Sequence, residues 1–139
     1  AIREARSEDE QRVIELLTLM PANADLSAQE VEDIGRRFRE RMAMDVLVAE
    51  VDETVVGFIA LSLVPVLSGL RALINDMAVD PAYQRRGIGA ALVEAAIQRA
   101  DRRGATHLLV DTSRAGPEAR DFYRACGFEE GVIAPLHIQ

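Results

Sequence analysis

Cysteine, long apolar runs and positive charge are all scarce in this sequence of 139 residues. Its single cysteine, Cys126, excludes an internal disulfide and a cysteine-based zinc cluster, and fits a reducing compartment, the cytoplasm. No metal site is expected. No apolar run approaches the roughly 20 residues of a membrane span. The opening Ala-Ile-Arg-Glu-Ala-Arg lacks the apolar segment of a signal peptide, so neither a membrane partner nor export is expected. Lys plus Arg number 16 against 23 Asp plus Glu, a net charge of −7. A nucleic-acid partner requires a basic face, so none is expected, although a local basic site for an anionic ligand stays open. Repeats, low-complexity tracts and linkers are also missing, and the length suits one domain over 1–139.

What is present is a change of rhythm along the chain. Ile2 to Ala5 read as a short strand. Ser7-Glu-Asp-Glu10 and Ser27-Ala-Gln-Glu30 both have the capping-box form, in which residues three apart satisfy each other's free backbone N–H groups. Apolar residues at helical spacing follow each box: Val13, Leu16, Leu17 and Met20, then Val31, Ile34, Phe38 and Met42. Val46 to Val51 and Thr54 to Val64 are rich in β-branched residues, with Asp52-Glu53 between them as a hairpin step without glycine. The turn Leu67-Ser-Gly-Leu70 leads into Ala72 to Val79, completing an antiparallel meander.

The second half reads as a β-α-β unit: strand Leu73–Val79, helix Ile88–Arg103 with Gly104 as its left-handed cap, strand Thr106–Thr112. Such a crossover makes its two strands parallel. Pro117 opens a short helix, Gly127 closes it, and Phe128 returns to strand. The fold class is α/β with one mixed sheet.

Three stretches carry chemistry. In Gln84-Arg-Arg-Gly87-Ile-Gly89-Ala90, two glycines and two arginines stand between a strand and a helix. A helix N-terminus leaves N–H groups free and carries positive dipole charge, and glycine lets a bulky anion approach them. The stretch suits a pyrophosphate or is a glycine-rich connection with exposed arginines. The Lys-Ser/Thr of a Walker loop is missing, and Leu92 stands where a dinucleotide fingerprint has its third glycine. The second stretch is Asn75-Asp76 inside an apolar strand, expected to be buried with one residue on each face. A bulge, a cleft border, a catalytic role or a carboxylate held by loop backbone would each explain it. In the third, Ala119, Phe122, Tyr123 and Cys126 form one inward helical stripe, which leaves Tyr123 either a core residue or a proton donor.

Together these stretches resemble the GNAT superfamily of acyl-CoA-dependent N-acetyltransferases. Gln84-x-x-Gly87-x-Gly89 satisfies the family's Gln/Arg-x-x-Gly-x-Gly/Ala signature, and "ARDFYRACGF" is similar to its downstream Ala-x-x-Phe/Leu-Tyr-x-x-x-Gly-Phe segment. The order of elements agrees over the whole chain. The resemblance implies a mixed, mostly antiparallel sheet of about six or seven strands, with parallel, splayed fourth and fifth strands, and about four helices.

It also implies acetyl-CoA as co-substrate, with its pantetheine arm along the backbone of Met77, Ala78 and Val79. The pyrophosphate would lie on Gln84, Arg85, Arg86, Gly87, Ile88, Gly89 and Ala90. Direct attack by an acceptor amine, a backbone N–H near Met77 for the oxyanion, and Tyr123 as general acid follow from the same resemblance. Many relatives carry an Asn where this chain has Gly116, so that contact falls to another group; Ser113 and Arg114 are the candidates. Asp76 is the best-placed base, and Asn75 is a candidate to orient the amine. His107 reads as a satisfied core residue, His137 as surface, and Cys126 as core filler.

The acceptor, a small molecule or a protein amine, would be chosen by the first two helices, the Pro21–Leu26 loop and the Leu67–Leu70 turn. The acidic surface suits a cationic amine. A homodimer fits the family. An acyl-CoA-binding sensor without turnover would use the same loop and is the alternative.

Overall fold

The computed structural model describes residues 1–41, 44–111 and 117–129. Five strands form one sheet in chain order: β1 (Ile2–Glu4), β2 (Met44–Val51), β3 (Thr54–Val66), β4 (Gly69–Val79) and β5 (His107–Val110). The first four are antiparallel neighbours, and β5 lies parallel to β4. Four α-helices accompany them: α1 (Glu10–Thr18), α2 (Ala28–Glu40), α3 (Ile88–Arg102) and α4 (Pro117–Ala125). The strand expected after Phe128 lies outside the described residues.

Strand alternation sorts the apolar side chains onto two faces. Val46, Val48, Phe58 and Ala60 turn to one face, where Val13, Leu16 and Leu17 of α1 and Phe38 of α2 close over them. Leu47, Ile59, Leu61 and Ile74 turn to the other, against Leu92, Val93 and Ala96 of α3 and Tyr123 of α4. Phe58, Leu16 and Leu92 are fully buried, each contributing about 1.5–3 kcal/mol of hydrophobic stabilisation.

The hairpins explain the turn readings. Asp52 and Glu53 both take positive φ, 49° and 64°, as a two-residue hairpin matched to strand twist requires. Without glycine each residue carries a backbone cost of order 1 kcal/mol. The second hairpin turns at Leu67-Ser68, with Val66 paired to Gly69.

Two expectations on capping separate. At α2 the box forms: Ser27 Oγ accepts from Glu30 N–H and Glu30 Oε1 accepts from Ser27 N–H, each at 3.1 Å. At α1 it does not, because Ser7–Asp9 makes a 3-10 turn and the helix begins at Glu10. Asp9 instead accepts from Arg6 N–H at 2.7 Å and from the Arg3 guanidinium at 2.8 and 3.2 Å. Two further readings are corrected. His107 is exposed and sits 3.1 Å from Thr106 Oγ1, since β5 presents that position to solvent. Asn75 is exposed rather than buried, for a reason that belongs to the site.

Candidate functional site

The parallel pairing of β4 with β5 covers only Arg71–Ile74. Its last link is Asp111 N–H to Ile74 O at 3.3 Å. Beyond Ile74, β4 runs on to Val79 with no β5 partner among the described residues, so an edge is open in mid-sheet. Asp80 N–H donates to Val56 O at 2.7 Å, across to β3. By alternation the backbone groups of Ala78 and Asp76 also turn to β3, and those of Met77 and Val79 turn to the open edge. Val79 O there accepts from Gln84 Nε2 at 3.3 Å.

Opposite Ala60 and Leu61 the register slips: Ala60 pairs with Asp76, Leu61 with Ile74. Asn75 is the extra residue, a β-bulge. Its exposed side chain donates to Ser62 Oγ at 2.6 Å. The bulge swaps the faces of everything after it. Ala72 and Ile74 pack on the α3 face, and so do Met77 and Val79, while Asp76 and Ala78 go to the α1–α2 face. Of the readings of Asn75-Asp76, a bulge and a cleft border both occur.

The cleft is a cavity of about 310 Å³ between α1, α2 and the sheet, with Asp76 and Arg37 among its lining and apolar walls that include Leu17, Phe38 and Phe58. Asn23 and Leu26 of the Pro21–Leu26 loop reach it; the Leu67–Leu70 turn does not. Burial raises the Asp76 carboxyl above its ordinary value, while the Arg37 charge acts in the opposite direction.

After β4, Asp80 is the post on which the next loop is hung. Its carboxylate accepts from Ala82 N–H at 2.9 Å, capping the 3-10 turn Pro81–Tyr83, and from Arg12 Nη2 at 2.7 Å. Arg12 Nε also donates to Val55 O at 2.8 Å. The Ala82 N–H, then Arg12, hold the Asp80 carboxyl below its usual range.

The loop then turns through positive φ at Arg85 (65°) and Gly87 (78°) and enters α3 at Ile88. Such left-handed steps point N–H groups inward as an anion-binding concavity. Gly87 makes no side-chain cap, and a Cβ there would meet nothing within 4 Å. Ile88, Gly89 and Ala90 open the helix, where N–H groups have no intrahelical acceptor. Arg85 and Arg86 are exposed and enter no ion pair among the described residues; Arg86 lies 5.2 Å from the Tyr83 ring centroid. Free N–H groups, two cations and open space together suit a diphosphate.

Gly89 has a different reason to be glycine. A Cβ there would stand 3.3 Å from Phe122 Cζ, so α4 packs directly on the first turn of α3. The next residue, Tyr123, is 9% exposed and sits edge-on between Phe122 and Phe128. Its hydroxyl makes no hydrogen bond among the described residues, yet it is not sealed from solvent. Burial first, then the Cys126 and Asp76 charges, push its pKa up to about 12. Burial also raises the Cys126 thiol, which packs beside it.

The structure thus gathers Met77, Ala78, Val79, Gln84 to Ala90 and Tyr123 around the open edge, with Asp76 entering from the opposite face. Ser113, Arg114, Gly116 and His137 lie outside the described residues. Sequence reasoning missed Arg37, Arg12 and the packing role of Gly89. Arg37 lies one residue before the Phe38 stripe, a position that reads as solvated surface.

A family model described as the acetyltransferase (GNAT) family matches residues 2–128. The [ribosomal protein bS18]-alanine N-acetyltransferase of Escherichia coli K12 is 37% identical over 62 residues, covering 45% of this chain and 42% of that protein. Human N-acetyltransferase 8B is 29% identical over 111 residues, 78% of this chain and 49% of that one. Each match spans less than half of the relative's own length. A crystal structure of a transcriptional regulator from Bacillus halodurans C-125 superposes with a TM-score of 0.84 at 27% identity, covering 98% of this chain and 99% of that one. With the family model covering nearly every residue, the chain belongs to the GNAT acetyltransferase family.

Proposed function

We propose that residues 1–139 act as one domain that moves an acetyl group from acetyl-CoA to the primary amine of an acceptor by direct attack. One observation carries this reading: the open Met77–Val79 edge, the α3 N-terminus and Tyr123 converge on one side of β4, while Asp76 faces a cavity on the other. Met77 and Val79 would hold the pantetheine arm through backbone groups, as an added strand is held. The N–H groups from Arg85 to Ala90 would hold the pyrophosphate. Acetyl-CoA supplies the reactive thioester.

Asp76 receives the proton that the amine loses, and its raised pKa makes it a better base than an exposed carboxylate. Asn75, beside it, would orient the amine. The amine nitrogen bonds to the acetyl carbon and the carbon–sulfur bond breaks. A backbone N–H near Met77 donates to the carbonyl oxygen while it carries charge. Tyr123 gives its phenolic proton to the departing sulfur. With a pKa of about 12 it stays protonated throughout the neutral range, and the dry surroundings raise the proton affinity of the thiolate as well. The name of the Escherichia coli relative, an alanine N-acetyltransferase, supports an amine as acceptor. The reading includes a cytoplasmic location and a homodimer, the latter tested by sedimentation.

The experiment is thiol release from acetyl-CoA against a panel of amines, wild type beside Tyr123→Phe. Release that is amine-dependent and slowed strongly in the variant is the expected result. Acetyl-CoA that raises Tm with no thiol released by any amine would instead make the protein a sensor.

A further inference from the structure

The cavity that ends at Asp76 holds charges of both signs, and they are not equally available. Glu30 lines it, but its Oε1 accepts from Ser27 N–H in the α2 cap at 3.1 Å. Asp33 lines it, but its Oδ1 accepts from Gln29 Nε2 at 3.0 Å and Arg36 Nη1 at 3.1 Å. Arg37 and Asp76 line it too, and among the described residues neither makes a hydrogen bond or an ion pair. The two sense each other's charge without touching. A cavity that keeps one cation and one anion apart and unpaired is built for a ligand that carries both. Between them the walls are apolar, and about 310 Å³ is at the small end of ligand sites.

We propose that the acceptor is a small amine that also carries a carboxylate on an apolar body, of the amino-acid class, with Arg37 receiving the carboxylate and Asp76 the amine. The inference rests on the acetyl-transfer reading and narrows its acceptor. Arg37 is here a specificity-determining residue: a guanidinium binds a carboxylate with two parallel hydrogen bonds, which neither an amide nor a second ammonium reproduces. The product would be the N-acetyl amino acid, with coenzyme A leaving as the thiol.

The test measures thiol release from acetyl-CoA with L-leucine and L-methionine, their carboxamides, isopentylamine and putrescine. Calorimetric binding of the same compounds to the protein runs beside it. The carboxamides mimic a peptide N-terminus, and putrescine is the purely cationic competitor. The free acids should exceed their carboxamides by about tenfold or more in kcat/KM. Arg37→Gln should abolish that preference by raising KM rather than lowering kcat, and Arg37→Lys should restore part of it. Carboxamides or putrescine used as well as the acids would overturn the inference and leave acetyl transfer standing. Binding of the acids that is lost in Arg37→Gln, with no thiol released by any amine, would support the ligand class and sink the transfer reading. Absence of the preference in both measurements overturns the inference.

Discussion

The Phe122 ring lies where a side chain on Gly89 would begin, 3.3 Å from the ideal Cβ position to Cζ and 3.5 Å to Cε1. The helix that opens the diphosphate cradle therefore bears directly on the helix that carries Tyr123. Gly89→Ala gains about 1 kcal/mol of helix propensity and loses some of it by pushing Phe122 outward. Its Tm should stay within a few degrees of wild type while kcat falls by about threefold to tenfold, because Tyr123 moves with its neighbour. An unchanged kcat would show that the contact does not position Tyr123.

Gly87→Ala should behave in the opposite way. No atom lies within 4 Å of the new Cβ, but the backbone stands at φ +78°, which costs an alanine about 1 kcal/mol. Melting should show that loss, and acetyl-CoA binding measured by calorimetry should weaken with it. Full stability in this variant would mean that the turn relaxes without cost.

Tyr123→Phe removes a hydroxyl that has no hydrogen-bond partner among the described residues, so stability should be unchanged or slightly higher. Thiol release at saturating amine should drop by about 10²-fold. Because the wild-type phenol titrates near 12, its loss of proton should not shape the rate below about pH 10. A basic limb near neutrality that vanishes in the variant would contradict this.

Asp76→Asn separates stability from activity. An acid whose folded pKa is raised destabilises the fold progressively as pH climbs from its ordinary value through the raised one. At neutral pH the asparagine variant should therefore melt a few degrees higher, and turnover should fall by about 10²-fold. The wild-type rate should also fall with acid at a pH above the ordinary carboxylate value of 3.8. A variant that melts lower than wild type would mean that the charge is held by a partner.

Asp9 has the opposite sign. It is buried, 6% exposed, and its hydrogen bonds to Arg3 lower its pKa. Its contribution is complete above the ordinary value and is lost as pH falls through the lowered one. Arg3 also holds Glu50 at 2.7 Å, tying β1 to β2 and the first turn. Arg3→Met should cost about 3 kcal/mol by leaving the Asp9 charge buried alone. Denaturant melts at pH 7 read that loss, and Asp9→Asn should flatten the acid limb.

The order of elements was legible in the sequence because each depends on local signals. Examples are Ser27 and Glu30 at a helix start, Leu67–Leu70 at a turn, and Gly104 after α3. The diphosphate loop was legible for the same reason: its geometry is written in contiguous residues. What could not be read was produced by pairing. Ser7 lost its cap because Asp9 has a stronger partner in Arg3, from a strand three residues upstream of the turn. His107 is exposed because of the face β5 presents. Arg37 gains meaning only when α2 is laid over β4, and no helical pattern marks it. Asn75 was expected to be buried because strict alternation puts it there, and one inserted residue undoes that alternation.

That insertion makes the length of β4 a functional quantity in its own right. Removing Asn75 would leave composition, charge and hydropathy almost untouched, yet would reassign every downstream side chain. Asp76 would turn toward α3 and Met77 into the acceptor cavity. Point substitutions along this strand adjust the site by degrees. A one-codon deletion reverses its polarity, so substitution scans and deletion scans of the same strand should give unlike maps.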